Sequence, residues 1–276
     1  MTRALFVYHS DCTLRTSFAT TDVTTNTPCH FLWAPTSNSR PLSLPKTPED
    51  VTSMWNIPYR EAVGSLMYAS LGTRLDITFA VTRLSKFLEN PGQPHWEAAR
   101  NVLRYLNGTC GHWLVFGENE GNLIGWVDAD RSQEEDRCTY TGYAFLIDGG
   151  AVSWSSKQQE LIVLSTTEGE YVAATHAAKE ALWLCSFISE VFGSTLELTT
   201  LFLDNQSAIA LSRDHQYHAR TKHIDIRYHF IRWVIDNGSI RLIYCPMEDM
   251  IADTLTKPLP STKAKHFAMA LGLRAA

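Results

Sequence analysis

The order of apolar segments after residue 112 is the strongest indication of the fold. Strand-like runs come first, and helical and strand-like segments then alternate. In order they are "HWLVFGE", "NLIGWVDAD", "YTGYAFLID" and "AVSWSSK", a helix at about 166–192, "LELTTLFLD", helices in "NQSAIALS" and "TKHIDIRYHFIRWVIDN", "SIRLIYCP" and a last helical stretch. The "DGG" at 148–150 is typical of a hairpin turn. This order predicts an α/β fold with a mixed sheet and helices packed on it.

The chain before this region differs in character. Residues 58–108 predict three helices, because prolines stand at first-turn positions and Gly72 and Gly108 at C-terminal stops. Residues 1–45 are rich in Thr, Ser and Pro without a sustained period, which predicts an irregular, disordered leader. We therefore divide the chain into a leader (1–45), a helical segment (46–111) and an α/β domain (112–276).

Composition limits the possible partners and the compartment. No stretch approaches the roughly 18 apolar residues of a membrane span, so no membrane partner is expected. The six cysteines are scattered and contain no C-x-x-C pair, which favours reduced thiols and an intracellular protein. Whether that location is a cytoplasmic particle or the nucleus is left open. Because the net charge is −5, any contact with nucleic acid must come from a local basic patch.

The first acidic motif is "GWVDAD", in which an apolar run ends in Asp128 and Asp130. Residues i and i+2 of a strand point to the same face, so the two carboxylates are predicted to lie side by side. Taken alone, such a pair is more often a solvated strand end than a functional site.

The second acidic motif is "LSTTEGEYVAATHAAKEALWL", with two glutamates that helix geometry separates. Ser165 and Glu168 have the spacing of a capping box, which explains Glu168 structurally. Glu170 instead begins an apolar stripe that continues through Ala174, Ala177, Ala181, Leu184 and Ile188. A carboxylate on a sheet-facing stripe needs a partner or a metal, although a paired glutamate at the core edge is the commoner case.

Two further acids follow the later strands. Asp204 ends an apolar strand and opens a helix, where an N-cap aspartate is expected. In "PMEDMIADTLTKPLP", Asp249 is the expected N-cap and Asp253 lies one turn deeper without a capping role. Each acid has a structural alternative, but four of them at strand ends and helix faces of one α/β unit favour a cation site.

Together these motifs carry a family resemblance. "GWVDAD", "AVSWSSKQQ", "LSTTEGEYVAATHAAKEALWL", "LDNQSAIAL", "RTKHIDIRYHFIR" and "EDMIADTLTKPLP" resemble the ribonuclease H domain of copia-type LTR retrotransposon Pol polyproteins. "YREAVGSLMYASLGTRLDITFAVTRLSKF" and "HWEAARNVLRYLNGT" resemble the end of the reverse transcriptase that precedes it. The resemblance covers about residues 56–273 and implies a ribonuclease H-like five-stranded mixed sheet flanked by helices.

The resemblance also implies an activity and a site. It assigns Asp128, Glu170, Asp204 and Asp253 as catalytic residues and ligands of two Mg²⁺ ions, with Mn²⁺ as a possible substitute. The implied reaction is hydrolysis of the RNA strand of an RNA–DNA hybrid during reverse transcription. Hard oxygen ligands suit Mg²⁺, and Asp130 is left as either a supporting or a solvated residue.

Substrate contacts are predicted on two segments. The basic segment "HARTKHIDIRYHFIR" offers Arg220, Lys222, His223 and Arg227, although a charge-rich helix is equally often only a solvated face. Asn205 and Gln206 follow Asp204 and could meet a minor groove, where 2′-hydroxyls distinguish RNA from DNA.

The chain lacks the adjacent aspartates that a polymerase active site of these elements needs. We therefore expect the C-terminal portion of a polyprotein that cannot copy nucleic acid by itself, with the reverse transcriptase portion as a possible partner. The alternative hypothesis is a non-catalytic or adapted retrotransposon remnant that binds nucleic acid or protein. Loss of any of the four acids would favour that alternative, and all four are present.

Overall fold

A computed structural model describes residues 7–8, 52–117, 121–131, 138–160, 163, 165–193, 198–213 and 225–275, without side-chain detail at 7–8 and 225–229. The described helices are, in chain order, α1 (Tyr59–Gly72), α2 (Thr78–Ser85), α3 (Gln93–Gly108), α4 (Thr166–Phe192), α5 (Gln206–Arg213), α6 (Asp225–Asp236) and α7 (Ser261–Ala270). The strands are β1 (Val7–Tyr8), β2 (His112–Val115), β3 (Ile124–Arg131), β4 (Thr139–Ile147), β5 (Gly150–Gln158), β6 (Thr199–Leu203), β7 (Ile240–Tyr244) and β8 (Leu273–Ala275). Apart from Val7 and Tyr8, the predicted leader lies outside the described residues.

The described residues divide into two compact units, Phe116–Lys257, and Phe6–Val115 with Pro258–Ala276. This division differs from the predicted domain boundary at residue 112. Strand β2 pairs antiparallel with β8, and β1 pairs with β2, so these strands form a separate three-stranded sheet. The chain after Lys257 therefore belongs with the helical unit, which the local sequence pattern did not indicate.

The first unit contains a five-stranded sheet in the order β5-β4-β3-β6-β7. The pairs β3–β4 and β4–β5 are antiparallel, whereas β3–β6 and β6–β7 are parallel. Helix α4 provides the crossover from β5 to β6, and α5 and α6 connect β6 to β7. This arrangement confirms the predicted ribonuclease H-like mixed sheet flanked by helices.

Local signals explain several element boundaries. The β4–β5 hairpin turns at Asp148 and Gly149, both with positive φ (53° and 82°), as the "DGG" motif predicts for a type I′ turn. Ser165 caps α4, because its hydroxyl accepts a hydrogen bond from the Glu168 N–H at 3.2 Å. Gly193 ends α4 in the left-handed conformation (φ 63°).

Helix α4 packs closely on the sheet because its buried face is built from small residues. Ala173, Ala174, Ala177, Ala178 and Ala181 are at most 1% exposed. They join the core that includes Val127 of β3 and Leu201 of β6. The face predicted to begin at Glu170 is thus the buried one. Within the described residues, no helix has the length and apolar character that a membrane crossing requires.

The helical unit has its own core and a buried ion pair. The Arg74 guanidinium donates to the Asp76 carboxylate at 2.8 and 3.1 Å, and the Tyr105 hydroxyl donates to the same carboxylate at 2.8 Å. Arg74 also donates to the Thr109 hydroxyl at 2.7 Å. The pair therefore ties the 3-10 turn Leu75–Ile77 to the C-terminal end of α3.

Candidate metal centre

Asp128 lies in the second half of β3, the central strand of the large sheet, just beyond the residues of β3 that pair with β6. The β3–β6 register pairs Trp126 with Phe202, so continuing it by two residues places Asp204 level with Asp128. After β3 the chain forms β4 and β5 on one flank of that strand, and it later returns as β6 on the other flank. The end of the sheet at which Asp128 and Asp204 lie is therefore a topological switch point. Ligand sites of open α/β sheets form at such points.

Glu170 reaches this edge from the first turns of α4. Its Oε1 atom accepts a hydrogen bond from the Ala129 N–H at 3.1 Å. The β3–β6 ladder ends at Trp126, so this N–H group lies beyond the strand pairing on that side. The other oxygen, Oε2, is buried and has no hydrogen-bond partner among the described residues. The side chain is only 4% exposed, and a buried carboxylate oxygen without a hydrogen bond is costly unless a cation compensates its charge.

Asp204 completes a cluster at the end of β6. Carboxylate oxygens of Asp128, Glu170 and Asp204 all lie within 4.8 Å of one another. The predicted capping role of Asp204 is wrong, because Asn205 caps α5 by accepting from the Ala208 N–H at 3.0 Å. The N-cap explanation of Asp204 therefore does not apply.

Asp253 is placed differently from the other three acids. It lies in the 3-10 turn Ile251–Leu255, is completely buried, and is paired with the Lys257 ammonium at 2.8 Å. Within the part of the chain that the structure describes, the metal-type cluster contains the other three acids only. The predicted N-cap at Asp249 is also wrong, because the turn starts after Met250 without a side-chain cap and Asp249 is exposed.

Two residues that directly follow this 3-10 turn lie close to Asp128. The Thr256 hydroxyl donates a short hydrogen bond to Asp128 Oδ2. The Lys257 ammonium lies 3.9 Å from the same oxygen. One oxygen of Asp128 is therefore close to both Thr256 and Lys257.

Burial and crowding determine the electrostatics of the cluster. Burial, together with repulsion from Asp253 and Asp204, raises the pKa of Asp128 to about 7, although Lys257 and Thr256 oppose the rise. Burial and then the charges of Asp128 and Asp204 raise the pKa of Glu170 as well. Burial alone would lower the pKa of Lys257, but Asp128 and Asp253 outweigh it and raise that pKa. Asp128 and Glu170 thus resist ionisation together, as expected of ligands that a cation neutralises.

Asp130 lies outside this cluster. It is half-buried two residues further along β3, and burial raises its pKa while Lys257 opposes the rise. The same-face prediction for a strand pair is compatible with this position, but the ligand set does not include Asp130.

Comparison with known proteins identifies the chain. No protein-family model matches it. It is 49% identical over 220 residues to the retrovirus-related Pol polyprotein from transposon TNT 1-94 of Nicotiana tabacum, covering 79% of this chain and 16% of that protein. It is 36% identical over 244 residues to the Pol polyprotein from transposon RE1 of Arabidopsis thaliana, covering 85% of this chain and 17% of that protein. The chain belongs to the Pol polyproteins of copia-type retrotransposons.

The chain spans less than a fifth of the length of either relative, and we therefore call it the Pol segment. Among solved structures it resembles LC11 RNase H1, isolated from compost by a metagenomic approach, with 15% identity and a TM-score of 0.39, covering 49% of this chain and 93% of that one. The fold assignment rests on the strand order of the Pol segment itself.

The three-acid cluster of the Pol segment fits a hard divalent cation. Oxygen ligands of Mg²⁺ lie about 2.0–2.1 Å from the ion, so the three carboxylate oxygens, which lie within 4.8 Å of one another, would have to draw closer together to share one ion. All three side chains supply carboxylate oxygens, and Glu170 Oε2 is a buried oxygen to which no described residue donates a hydrogen bond. Asp128, Glu170 and Asp204 are therefore suitable metal ligands.

Sequence patterns missed three residues that shape the site: Gly142, Thr256 and Lys257. Gly142 pairs with Asp128 across β3 and β4. A Cβ atom at this glycine would lie 2.7 Å from Leu255 Cβ and 2.8 Å from Thr256 Cγ2. The 3-10 turn can therefore approach the sheet only because position 142 has no side chain. A glycine inside the strand-like run "YTGYAF" is a signal of such a close approach.

We expect Gly142→Ala to lower the rate of the hybrid cleavage that the family resemblance implies by about 10- to 100-fold, because Asp253 and the adjoining Thr256 and Lys257 must move. Overpacking should also lower the free energy of unfolding by about 1–3 kcal/mol. The matched control is Gly64→Ala in α1, where an added Cβ meets nothing within 4 Å. Initial cleavage rates and thermal melts of both variants measure this effect, and wild-type activity in Gly142→Ala would contradict it.

The predicted substrate residues are only partly visible. Arg220, Lys222 and His223 lie outside the described residues, and of Arg227 only the backbone is described. Gln206 is exposed at the start of α5, and Asn205 is half-buried beside Asp204. Their substrate roles stay predictions.

Proposed function

We propose that this Pol segment is a divalent-metal-dependent ribonuclease H that cleaves the RNA strand of RNA–DNA hybrids during retrotransposon replication. The observation that carries the proposal is the cluster of Asp128, Glu170 and Asp204 at the switch point of a ribonuclease H-like sheet. Membership of the copia-type Pol family supports the same substrate class. The reverse transcriptase portion of the polyprotein is the proposed partner.

In this proposal Asp128, Glu170 and Asp204 would hold one Mg²⁺ or Mn²⁺ ion, and Asp253 would hold a second together with Asp128. When bound, such ions activate water as a nucleophile and stabilise the negative charge that develops on the leaving oxygen. The chain's own contribution is to fix the ligands. The Ala129 N–H orients Glu170, and the Thr256 hydroxyl orients Asp128.

Substrate contacts are proposed at the same edge. The Asn205 side-chain oxygen is used by the helix cap, so its amide N–H groups are what it can offer to a minor groove. Gln206 adds an exposed amide beside it. We propose that Arg220, Lys222, His223 and Arg227 contact phosphates, which position the duplex without reading its sequence.

The decisive experiment incubates purified protein with an end-labelled RNA–DNA hybrid, with Mg²⁺, with Mn²⁺ or with a chelator. We expect metal-dependent cleavage of the RNA strand only, while duplex DNA and duplex RNA stay intact. An Asp204→Asn variant purified in the same way controls for contaminating nuclease. Hybrid binding without cleavage under both metals would instead support the non-catalytic alternative.

A further inference from the structure

The Lys257 ammonium is the cation that the described structure places inside the acidic site. It lies 2.8 Å from Asp253 Oδ1 and 3.9 Å from Asp128 Oδ2. The two carboxylates are 0% and 2% exposed, whereas the lysine side chain is 24% exposed. One partly exposed ammonium group therefore lies near two buried carboxylates.

The backbone fixes this arrangement. The N–H groups of Thr256 and Lys257 both donate to the Asp253 carbonyl, at 3.2 and 3.1 Å. The turn thus folds back on itself and brings the lysine over the side chain of Asp253. Close packing of the turn on Gly142 then carries the ammonium towards Asp128.

A buried carboxylate is costly unless a cation compensates it. Lys257 supplies that compensation for Asp253, which is otherwise enclosed in the core. A second divalent ion would need oxygens of the same two aspartates. Two cations a few ångströms apart repel strongly in a site of low dielectric, so the ammonium and this ion compete.

We infer that Lys257 is a positioning residue that stands in for the second divalent ion, and that this ion binds only when the ammonium leaves Asp128 and Asp253. The inference rests on the proposed function, because it concerns the loading of the same site. The three-acid site fills first, and the site at Asp253 fills at higher metal concentration. Lysine has the flexible stem that such a displacement needs.

The test is Mn²⁺ binding to the whole chain without substrate, measured from free Mn²⁺ by electron paramagnetic resonance. We expect wild type to bind one ion tightly and a second more weakly. In Lys257→Met the second ion should bind at least about tenfold more tightly, equivalent to about 1.4 kcal/mol. Lys257→Arg keeps the charge and should keep the wild-type pattern.

The matched control is Lys157→Met. Lys157 pairs with Glu160 at 3.2 Å, but the two side chains are 70% and 84% exposed. This variant loses the same charge away from the site, so both Mn²⁺ affinities should match wild type. An equal or weaker second affinity in Lys257→Met would overturn the inference alone. Absence of any Mn²⁺ binding to wild type would overturn the proposed function with it.

A measurement on the wild-type protein avoids any folding defect of the variants. The side-chain ammonium of Lys257, assigned by its absence from the spectrum of Lys257→Arg, should give a protected nitrogen NMR signal without metal. Diamagnetic Mg²⁺ should leave this signal in place while the first site fills and remove it as the second site fills. A signal that persists unchanged at saturating Mg²⁺ would contradict displacement of the lysine.

Discussion

Replacing Asp128 with asparagine should lower hybrid cleavage to below about a thousandth of the wild-type rate, because metal-based charge stabilisation contributes several kcal/mol to the transition state. Asparagine keeps the shape of the side chain and an oxygen that accepts from Thr256. It removes the negative charge that both proposed metal sites share. The fold should therefore persist while the chemistry is lost.

The same variant should be more stable than wild type in metal-free buffer near pH 8. The pKa of Asp128 is raised to about 7 in the folded protein, mainly by burial, from an ordinary value of 3.8. A raised folded pKa means that the protonated form is favoured, so its contribution to stability is complete below about pH 4 and is lost as the pH rises through about 7. Asparagine mimics the protonated acid at every pH.

Thermal melts with a chelator between pH 5 and 8 measure this effect. Wild type should lose stability as the pH rises, and Asp128→Asn should lose less. Each kcal/mol by which the variant is the more stable protein should raise its melting temperature by about 2–4 °C. Glu170 has a raised pKa as well, so some pH dependence should remain in the variant. An Asp128→Asn protein that melts below wild type at pH 8 would mean that the attraction between Asp128 and Lys257 stabilises the folded protein more than burial of the charged carboxylate destabilises it.

Asp130→Asn is the matched control for the loss of activity. It makes the same substitution two residues along the same strand, outside the three-acid cluster. Most of the cleavage activity should remain in this variant. Equal loss of cleavage in Asp128→Asn and Asp130→Asn would show that activity depends on the total negative charge near these residues and not on which acids are metal ligands.

The second large effect concerns the two glutamates of α4. Glu170→Gln should lose cleavage by about a thousandfold or more, the cost expected for an electrostatic group of several kcal/mol. Glutamine keeps an oxygen for the Ala129 N–H, so the free energy of unfolding should change little. Glu168→Ala should retain cleavage and lose about 0.3–1 kcal/mol of stability, the usual contribution of an acid in a first helical turn.

Cleavage assays and denaturant unfolding of both variants separate the two roles. The comparison is well controlled, because the residues are two positions apart on one helix and differ in burial. An inactive Glu168→Ala beside an active Glu170→Gln would refute the assignment of the ligand to the buried face.

Much of the site was predictable because local periodicity determines which face a residue occupies. Strand period places Asp128 at the end of a central apolar run, and helix period places Glu170 on the alanine-rich buried face of α4. The alternation of elements gave the mixed sheet, and the "DGG" motif gave its hairpin turn. These features depend on neighbours within a few residues of sequence.

Periodicity failed where several local solutions were acceptable. Either Asp204 or Asn205 could cap α5, and the turn geometry selected Asn205. Asp249 had the sequence position of a cap, but the chain forms a 3-10 turn beginning further on. Cap choice depends on the backbone angles at the entry of a helix, which a list of residue types does not contain.

Local sequence pattern was sufficient to predict the mixed sheet, its helices and the buried face of α4 on which Glu170 lies. It could not predict that Thr256 holds Asp128, because that contact joins residues 128 positions apart. The tertiary structure also decided that Lys257 occupies the acidic site, that Gly142 makes room for this turn, and that β2 pairs with β8. The physical reason is that local period fixes the direction of a side chain, whereas its partner is fixed by which distant segments the packed core brings together.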